Sequence, residues 1–183
     1  MLMSIKTWLF DKPNTDCLAQ YAKTGDNRYL NQLVAQYGND LYHYLVTQSD
    51  KDLALDICQQ TWLKVIDKRD FYNDQNNPKA WLFRLARNLL IDEFRKQQKF
   101  VELEDNQLFT EPQDASYHYD YEAFDKALMA LSFVQREALT LQQEGFSLED
   151  IVAITQSNPE TIKTRLRYAR QNLKQQLGGH HEA

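Results

Sequence analysis

A chain of 183 residues has room for one domain or two small ones, and 43% hydrophobic residues with 12% aromatics suffice for real cores. Five Gly and four Pro argue against an all-β design rich in tight turns, while two distant cysteines, Cys17 and Cys58, argue against a disulfide framework or a zinc site. The net charge of −5 disfavours a nucleic-acid partner only as a mean, because residues 76–99 and 161–183 each carry +4 and residues 100–125 carry −8. Local field decides where a polyanion docks.

The opening MLMSIKTWLF is too short and broken for a signal peptide, and no apolar run approaches ~18 residues. The expectation is a soluble cytoplasmic protein without membrane insertion, in a reducing compartment. Residues 1–26 are weakly patterned, with a short helix expected after Pro13. From Asn27 to Thr47, Leu30, Leu33, Val34, Tyr37, Leu41, Tyr44 and Leu45 step by three and four, which predicts a helix. Gly38 inside it costs about 1 kcal/mol, so close packing against a neighbour is expected there. Ser49 with Asp52 has capping-box spacing and predicts a third helix through Ile66. Its apolar stripe is Leu53, Ala54, Ile57, Thr61 and Val65, widened by Cys58 and Trp62. Its polar, mildly acidic side carries Asp56, Gln59, Gln60 and Lys64, better suited to a protein partner than to DNA.

Residues 70–77, DFYNDQNN, set amides beside aromatics, a composition that fits a surface turn and also one that can catch an extruded base. Pro78 then suits the first turn of a helix, since its missing N–H would be unbonded there anyway. In PKAWLFRLARNLLIDEFRK (78–96), Leu82, Leu85, Ala86, Leu89 and Phe94 form an apolar stripe, and Trp81, Arg84, Asn88 and Arg95 line another face. A ring, an amide and two guanidiniums can stack on a base, read a base edge and hold phosphates. An ordinary amphipathic helix with a solvated basic side would look the same on this stretch alone.

Residues 97–119 lack periodicity, contain Pro112 and are acidic, which reads as a linker. Beyond it a helix is expected from Tyr121 to Leu131. Ser132 with Gln135 predicts a capping box opening a helix that Gly145 closes, and Ser147 with Asp150 predicts another on a short helix. Asn158 is a good N-cap before Pro159, and the last helix carries Ile162, Leu166, Ala169, Leu173 and Leu177 on one face. Ser147 to Leu166 thus has helix-turn-helix spacing: a short helix, a three-residue turn and a basic second helix. In such a motif Thr161, Lys163, Thr164 and Arg165 enter the major groove, and Arg167 and Arg170 reach phosphates. A plain packed three-helix unit shares this periodicity.

Taken together in order and spacing, both halves resemble a bacterial RNA polymerase sigma factor of the extracytoplasmic-function (ECF) group, over roughly residues 27–96 and 123–177. YGNDLYHYL (37–45), ALDICQQTWLKV (54–65) and the Pro78 stretch resemble region 2 of that family. ALMALSFVQREALTLQQEGFSLEDIVAI (127–154) and ETIKTRLRYAR (160–170) resemble region 4. The resemblance implies an all-α chain of two helical domains joined by a flexible linker. These are a region 2-like bundle of three or four helices over 27–97, an acidic linker over 98–120, and a region 4-like helix-turn-helix domain over 121–177. An N-terminal extension (1–26) and a disordered tail (178–183) flank them.

It implies further that residues 54–69 dock on the polymerase clamp through Asp56, Gln59, Gln60 and Lys64. The 70–77 loop and the Pro78 helix would read and open the −10 element through Phe71, Asn73, Asn76, Asn77, Lys79, Trp81, Arg84, Arg87, Asn88 and Arg95. Residues 147–166 and the helix beyond would read the −35 element through Asn158, Thr161, Lys163, Thr164, Arg165, Arg167 and Arg170. Core RNA polymerase, promoter DNA and an anti-sigma factor are the implied partners, with no cofactor, no metal and no enzymatic activity. The family usually has Leu-Gly-Ile in the helix-turn-helix turn, where this chain has Thr155-Gln156-Ser157. That difference bears on the turn angle and so on base assignments. Two prolines common ahead of the Gln-Arg-Glu of region 4 are Phe133 and Val134 here.

Two other readings compete. A helix-turn-helix regulator acting without polymerase would bind its operator tightly on its own. A helical metalloenzyme built on Asp52 and Asp56, or Asp92 and Glu93, lacks paired His ligands or an HExxH-like spacing.

Overall fold

A computed structural model describes residues 16–72, 77–103 and 121–178. Eight α-helices occur among them: α1 (Cys17–Thr24), α2 (Asn27–Gln48), α3 (Lys51–Asp67), α4 (Pro78–Leu103), α5 (Tyr121–Met129), α6 (Phe133–Gln143), α7 (Leu148–Thr155) and α8 (Pro159–Gly178). A 3-10 turn at Arg69–Phe71 follows α3. The described residues contain no strand.

The first three helices start on aspartates. Asp16 accepts from the N–H of Leu18 and Ala19, Asp26 from Arg28, and Asp50 from Leu53. A carboxylate at this position satisfies donors that the first turn leaves open and complements the helix dipole. The expected box of Ser49 and Asp52 is therefore displaced by one residue, and Ser49 instead donates from Oγ to the carbonyl of Leu45, closing α2. Ser132 does precede α6, but its side chain makes no cap bond. Its expected partner Gln135 is drawn away to α8, where its Oε1 accepts from Asn172 Nδ2 at 3.1 Å. The third box is complete: Ser147 Oγ accepts from the N–H of Asp150, whose carboxylate accepts from the N–H of Ser147.

Helices α1 to α4 pack around Leu18, Tyr21, Leu41, Leu45, Ile57, Phe83 and Leu90, all at most 2% exposed. The N-terminal extension is thus partly core, because α1 buries Leu18, Ala19 and Tyr21 against α2. The buried stripe of α4 runs Ala80, Leu82, Phe83, Ala86 and Leu90, with Leu85, Leu89 and Phe94 half-buried beside it. It is rotated toward Phe83 and Leu90 from the expected one. Gly38 has no close neighbour: a Cβ there would meet only Val34 Cγ1, at 3.7 Å. The packing reason expected for it is absent. Helix α4 also runs on to Leu103, into the stretch read as linker; residues 104–120 and the terminal tail lie outside the described residues.

The second half packs α8 against α5, α6 and α7. One cluster joins Ala127, Leu128, Leu131, Leu139, Ala169 and Leu173. The other buried apolar residues of this half, Ala138, Leu141, Phe146, Ile151, Ile154, Ile162 and Leu166, join the cluster of α1–α4 instead. The core is therefore continuous across the two halves, with α6 against α2 and α7 against α4. Phe83 and Phe146 meet edge-on at 4.8 Å between ring centroids, and Phe94 meets Phe133 at 5.9 Å.

Candidate nucleic-acid interface

The helix-turn-helix is built as its spacing predicts, with Gln156, Ser157 and Asn158 between α7 and α8. Gln156 takes φ 55 and ψ 36, the left-handed conformation that a glycine adopts most easily. The turn angle thus survives without the family's glycine, at the cost of placing a side chain in a sparsely used region. Thr155, 5% exposed, fills the place of the apolar anchor and neutralises its hydroxyl by donating to the carbonyl of Ile151 at 2.7 Å. Asn158 caps α8, its Oδ1 accepting from the N–H of Thr161 at 2.8 Å. Helix α8 then has Lys163, Thr164, Arg167 and Arg170 exposed, with Thr161 and Arg165 half-exposed.

Several of these side chains are already oriented by neighbours. Arg165 Nη1 donates to Ser157 Oγ at 3.0 Å, Lys163 to Glu160 at 2.7 Å, and Arg170 to Gln142 at 2.6 Å. Such contacts at the surface are worth ~1 kcal/mol or less and exchange readily for a phosphate. They hold the donors near one face without tying them up.

On α4 the expected residues divide. Arg84, Asn88 and Arg95 are exposed. Trp81 is not a free stacking platform; it is half-buried and meets Tyr72 edge-on at 5.4 Å. Asn77 caps α4, its Oδ1 accepting from the N–H of Lys79 and Ala80, while its Nδ2 donates to Asp150 at 3.4 Å. Lys79 reaches the carbonyl of Glu144 at 2.7 Å and the Asp40 carboxylate at 2.8 Å, over the rings of Phe83 and Phe146. Arg87 donates from Nε and Nη2 to the two oxygens of Glu137, at 2.8 and 3.2 Å. Phe71 is 77% exposed at the end of the 3-10 turn. Asn73 and Asn76 lie outside the described residues.

The polymerase-facing candidates sit as expected on the open side of α3. Asp56 and Gln59 are exposed, Gln60 and Lys64 half-exposed, and Gln60 donates to Asp56 at 2.7 Å. Sequence reasoning missed the apolar residues among them. Leu55, Leu63 and Ile66 are exposed on this helix, Leu63 at 61%. An apolar residue outside the buried stripe was the available signal, and a protein-binding face needs such anchors.

Between the two halves, Tyr44 is the group whose titration shifts. Burial, and then the charge of Glu137, push the Tyr44 phenol well above its usual range. Burial also raises the Cys58 thiol and lowers the Arg136 guanidinium, whose Nε has no partner. No group of His, Cys, Asp and Glu that could hold a metal occurs among the described residues. None of their helices is long and apolar enough to cross a membrane.

Residues 33–100 match the sigma-70 region 2 family and residues 121–173 the sigma-70 region 4 family. The ECF RNA polymerase sigma factor EcfG of Rhodopseudomonas palustris is 38% identical over 127 residues, 67% of this chain and 70% of that protein. The ECF RNA polymerase sigma factor SigM of Bacillus subtilis is 30% identical over 152 residues, 79% of this chain and 93% of that protein. The solved sigma factor RpoE of Bartonella quintana, in complex with the anti-sigma factor NepR, superposes with a TM-score of 0.72 at 33% identity, covering 84% of this chain and 98% of that one.

Proposed function

The chain belongs to the ECF group of RNA polymerase sigma factors, which direct promoter-specific initiation, and from that membership we propose how its residues divide the work. The open face of α3 docks on core polymerase through Asp56, Gln59, Gln60 and Lys64, with Leu55, Leu63 and Ile66 as apolar anchors. Phe71, the loop through Asn73, Asn76 and Asn77, and α4 from Lys79 to Arg95 read and open the −10 element. The N-terminal part of α8 reads the −35 element. Strand opening in this scheme needs no catalytic group. An unpaired base stacked on an aromatic gains ~1–3 kcal/mol, which offsets part of the cost of melting.

The observation that carries the reading is the pair of basic helix faces on two modules, each matched to a different sigma region. A regulator acting without polymerase is not favoured, since it gives region 2 nothing to do. Elements 1.5–2 turns apart lie ~50–70 Å apart along the duplex. The chain from Leu103 to Tyr121 reaches at most about 60 Å, and the widths of the modules add to that. Tethering then makes two weak contacts one specific contact. The chain works in the cytoplasm, where polymerase is, and an anti-sigma protein is a fitting partner because the Bartonella relative is solved with one.

Transcription in vitro with core polymerase tests the reading. The chain should co-elute with core enzyme and start transcripts at discrete promoters. Asp56→Ala with Gln59→Ala should weaken co-elution while the helical circular dichroism stays unchanged. A chain that neither co-elutes nor initiates anywhere in a genomic library defeats the assignment, and unchanged affinity of the double variant moves the docking face elsewhere.

A further inference from the structure

The turn of the helix-turn-helix makes a bond that the family's usual residue could not make. Where the family usually has Ile, this chain has Ser157, whose Oγ accepts from Arg165 Nη1 at 3.0 Å. The same hydroxyl donates to the carbonyl of Thr155 at 3.4 Å. Thr155 is the last residue of α7, where carbonyls lack partners within the helix and form the negative end of its dipole. The hydroxyl proton thus points to that carbonyl, which leaves the Oγ lone pairs for the guanidinium. A relay runs from Arg165 through Ser157 to the end of α7, and the cation at its outer end polarises both bonds in the favourable sense.

The shape of the guanidinium decides what this relay can do. Only Nη1 of Arg165 is engaged; Nε and Nη2 make no bond among the described residues. Those two nitrogens are the lateral fork that grips a pair of acceptors, as Arg87 does on Glu137. In the major groove the matching pair of acceptors is O6 and N7 of guanine. The other cations of α8 are held differently. Lys163 is tied to Glu160 and Arg167 lies over the ring of Tyr168, both on their own helix. Arg170 reaches Gln142 through Nη2, the nitrogen that a lateral fork would need. Of these four, Arg165 is the one fixed by the turn with its lateral fork open. A side chain held beforehand has already lost much of the rotamer freedom that binding would otherwise remove.

We propose that Ser157 is a positioning residue for the upstream-reading helix: it holds the Arg165 guanidinium with the Nε and Nη2 fork presented to the major groove, and so sets how sharply one base pair of the −35 element is discriminated. This rests on the assignment of the N-terminal part of α8 to that element. Ser157 touches no base and acts through Arg165. An isoleucine at this position has no hydroxyl to offer, so the discrimination depends on a group that this chain gains by departing from its family. The departure in the turn is therefore a specificity device as well as a tolerated change of residue.

The test uses holoenzyme assembled from the full chain and core polymerase, on a promoter library randomised across the −35 element and sequenced before and after selection for initiation. Arg165→Ala should flatten the preference at one base pair, a guanine by the chemistry of the fork, and so mark the position that Arg165 reads. Ser157→Ala should lower discrimination at that position roughly three- to fivefold, the factor a half-exposed contact can hold, and leave the other positions unchanged. Ser157→Thr, which keeps the hydroxyl, should retain the wild-type profile. The double variant should match Arg165→Ala, because Ser157 then has nothing to position. A Ser157→Ala profile equal to the wild type, a double variant worse than Arg165→Ala, or a loss spread evenly over the element overturns the inference; the even loss is what a merely structural turn would give. In the wild-type chain alone, side-chain nitrogen NMR should show rotation about the Arg165 Nε–Cζ bond about threefold slower than for Arg167, since it must break the bond to Ser157. Equal rates overturn the inference even if Ser157→Ala does not fold. Arg165→Ala with the wild-type profile would defeat the assignment of Arg165 to the −35 element and this inference with it, whereas a wild-type holoenzyme that initiates nowhere would defeat the functional reading beneath both.

Discussion

Tyr44 illustrates how little a single residue reveals until its distant partner is known. In sequence it is one of seven apolar positions in α2, and burial confirms that role. Its hydroxyl, however, ends on Glu137, 93 positions away, and no local periodicity signals that bond. The pairing has a consequence for stability. The folded-state pKa of the phenol is raised above its ordinary value of 10.0, first by burial and then by Glu137. Its contribution is therefore fully present below pH ~10 and is lost as the pH climbs from there toward the folded pKa, where the unfolded chain releases a proton that the folded chain retains. The slope reaches about 1.4 kcal/mol per pH unit. Tyr44→Phe should lower stability near pH 7 by ~1.5–3 kcal/mol, the usual worth of a hydrogen bond to a charged group. That gap should narrow above pH 10, because the variant has no proton to lose. Urea unfolding of both proteins at pH 8 and pH 11 measures it, and a constant gap would show that the phenol titrates normally.

At the scale of elements, the helices were legible wherever a cap and a stripe agreed. The α7 capping box and the Asn158 cap of α8 are local patterns decided within four residues, and both form. The misplaced start of α3 is equally instructive: Ser49 and Asp50 are both good caps, and Asp50 opens α3 while Ser49 closes α2. Gly38 is the element-scale error with a measurable outcome. A glycine within a helix costs ~0.5–1 kcal/mol relative to alanine, and here no neighbour requires the missing Cβ. Gly38→Ala should therefore raise stability by about that amount, shifting the thermal midpoint upward by a few degrees, without changing polymerase or DNA binding. A destabilised variant would mean that the space beside Gly38 is used in a state other than this one. The turn at Gln156 is the converse case. The sequence departs from the family there, yet the backbone keeps the left-handed conformation, so the departure is chemical and not geometric. The candidate −35 face was readable for this reason. The candidate −10 face was only half readable, because Trp81 packs on the nearby Tyr72 while Lys79 and Arg87 are paired by residues far along the chain.

At the scale of the whole molecule, the two modules share one core, and this makes their cooperativity a measurable property. Helix α6 is the common wall: Ala138 and Leu141 join the cluster of the first half, while Leu139 joins that of α5 and α8. Removing α6 from α2 would strip apolar surface from both sides at once, so neither half has a complete exterior on its own. Unfolding should then be one transition. At about 0.7 kcal/mol per residue near 60 °C, the described residues correspond to an unfolding enthalpy of about 100 kcal/mol. If the halves melted separately, two components of about 60 and 40 kcal/mol would appear, in proportion to their lengths. Calorimetry of the wild type should give a van't Hoff enthalpy equal to the calorimetric one, the mark of a single cooperative unit. Glu137→Gln should lower the ratio of van't Hoff to calorimetric enthalpy by letting the modules separate before either unfolds. A wild type that already melts in two steps would mean that the shared cluster contributes little free energy, and that the modules are joined by their tether alone.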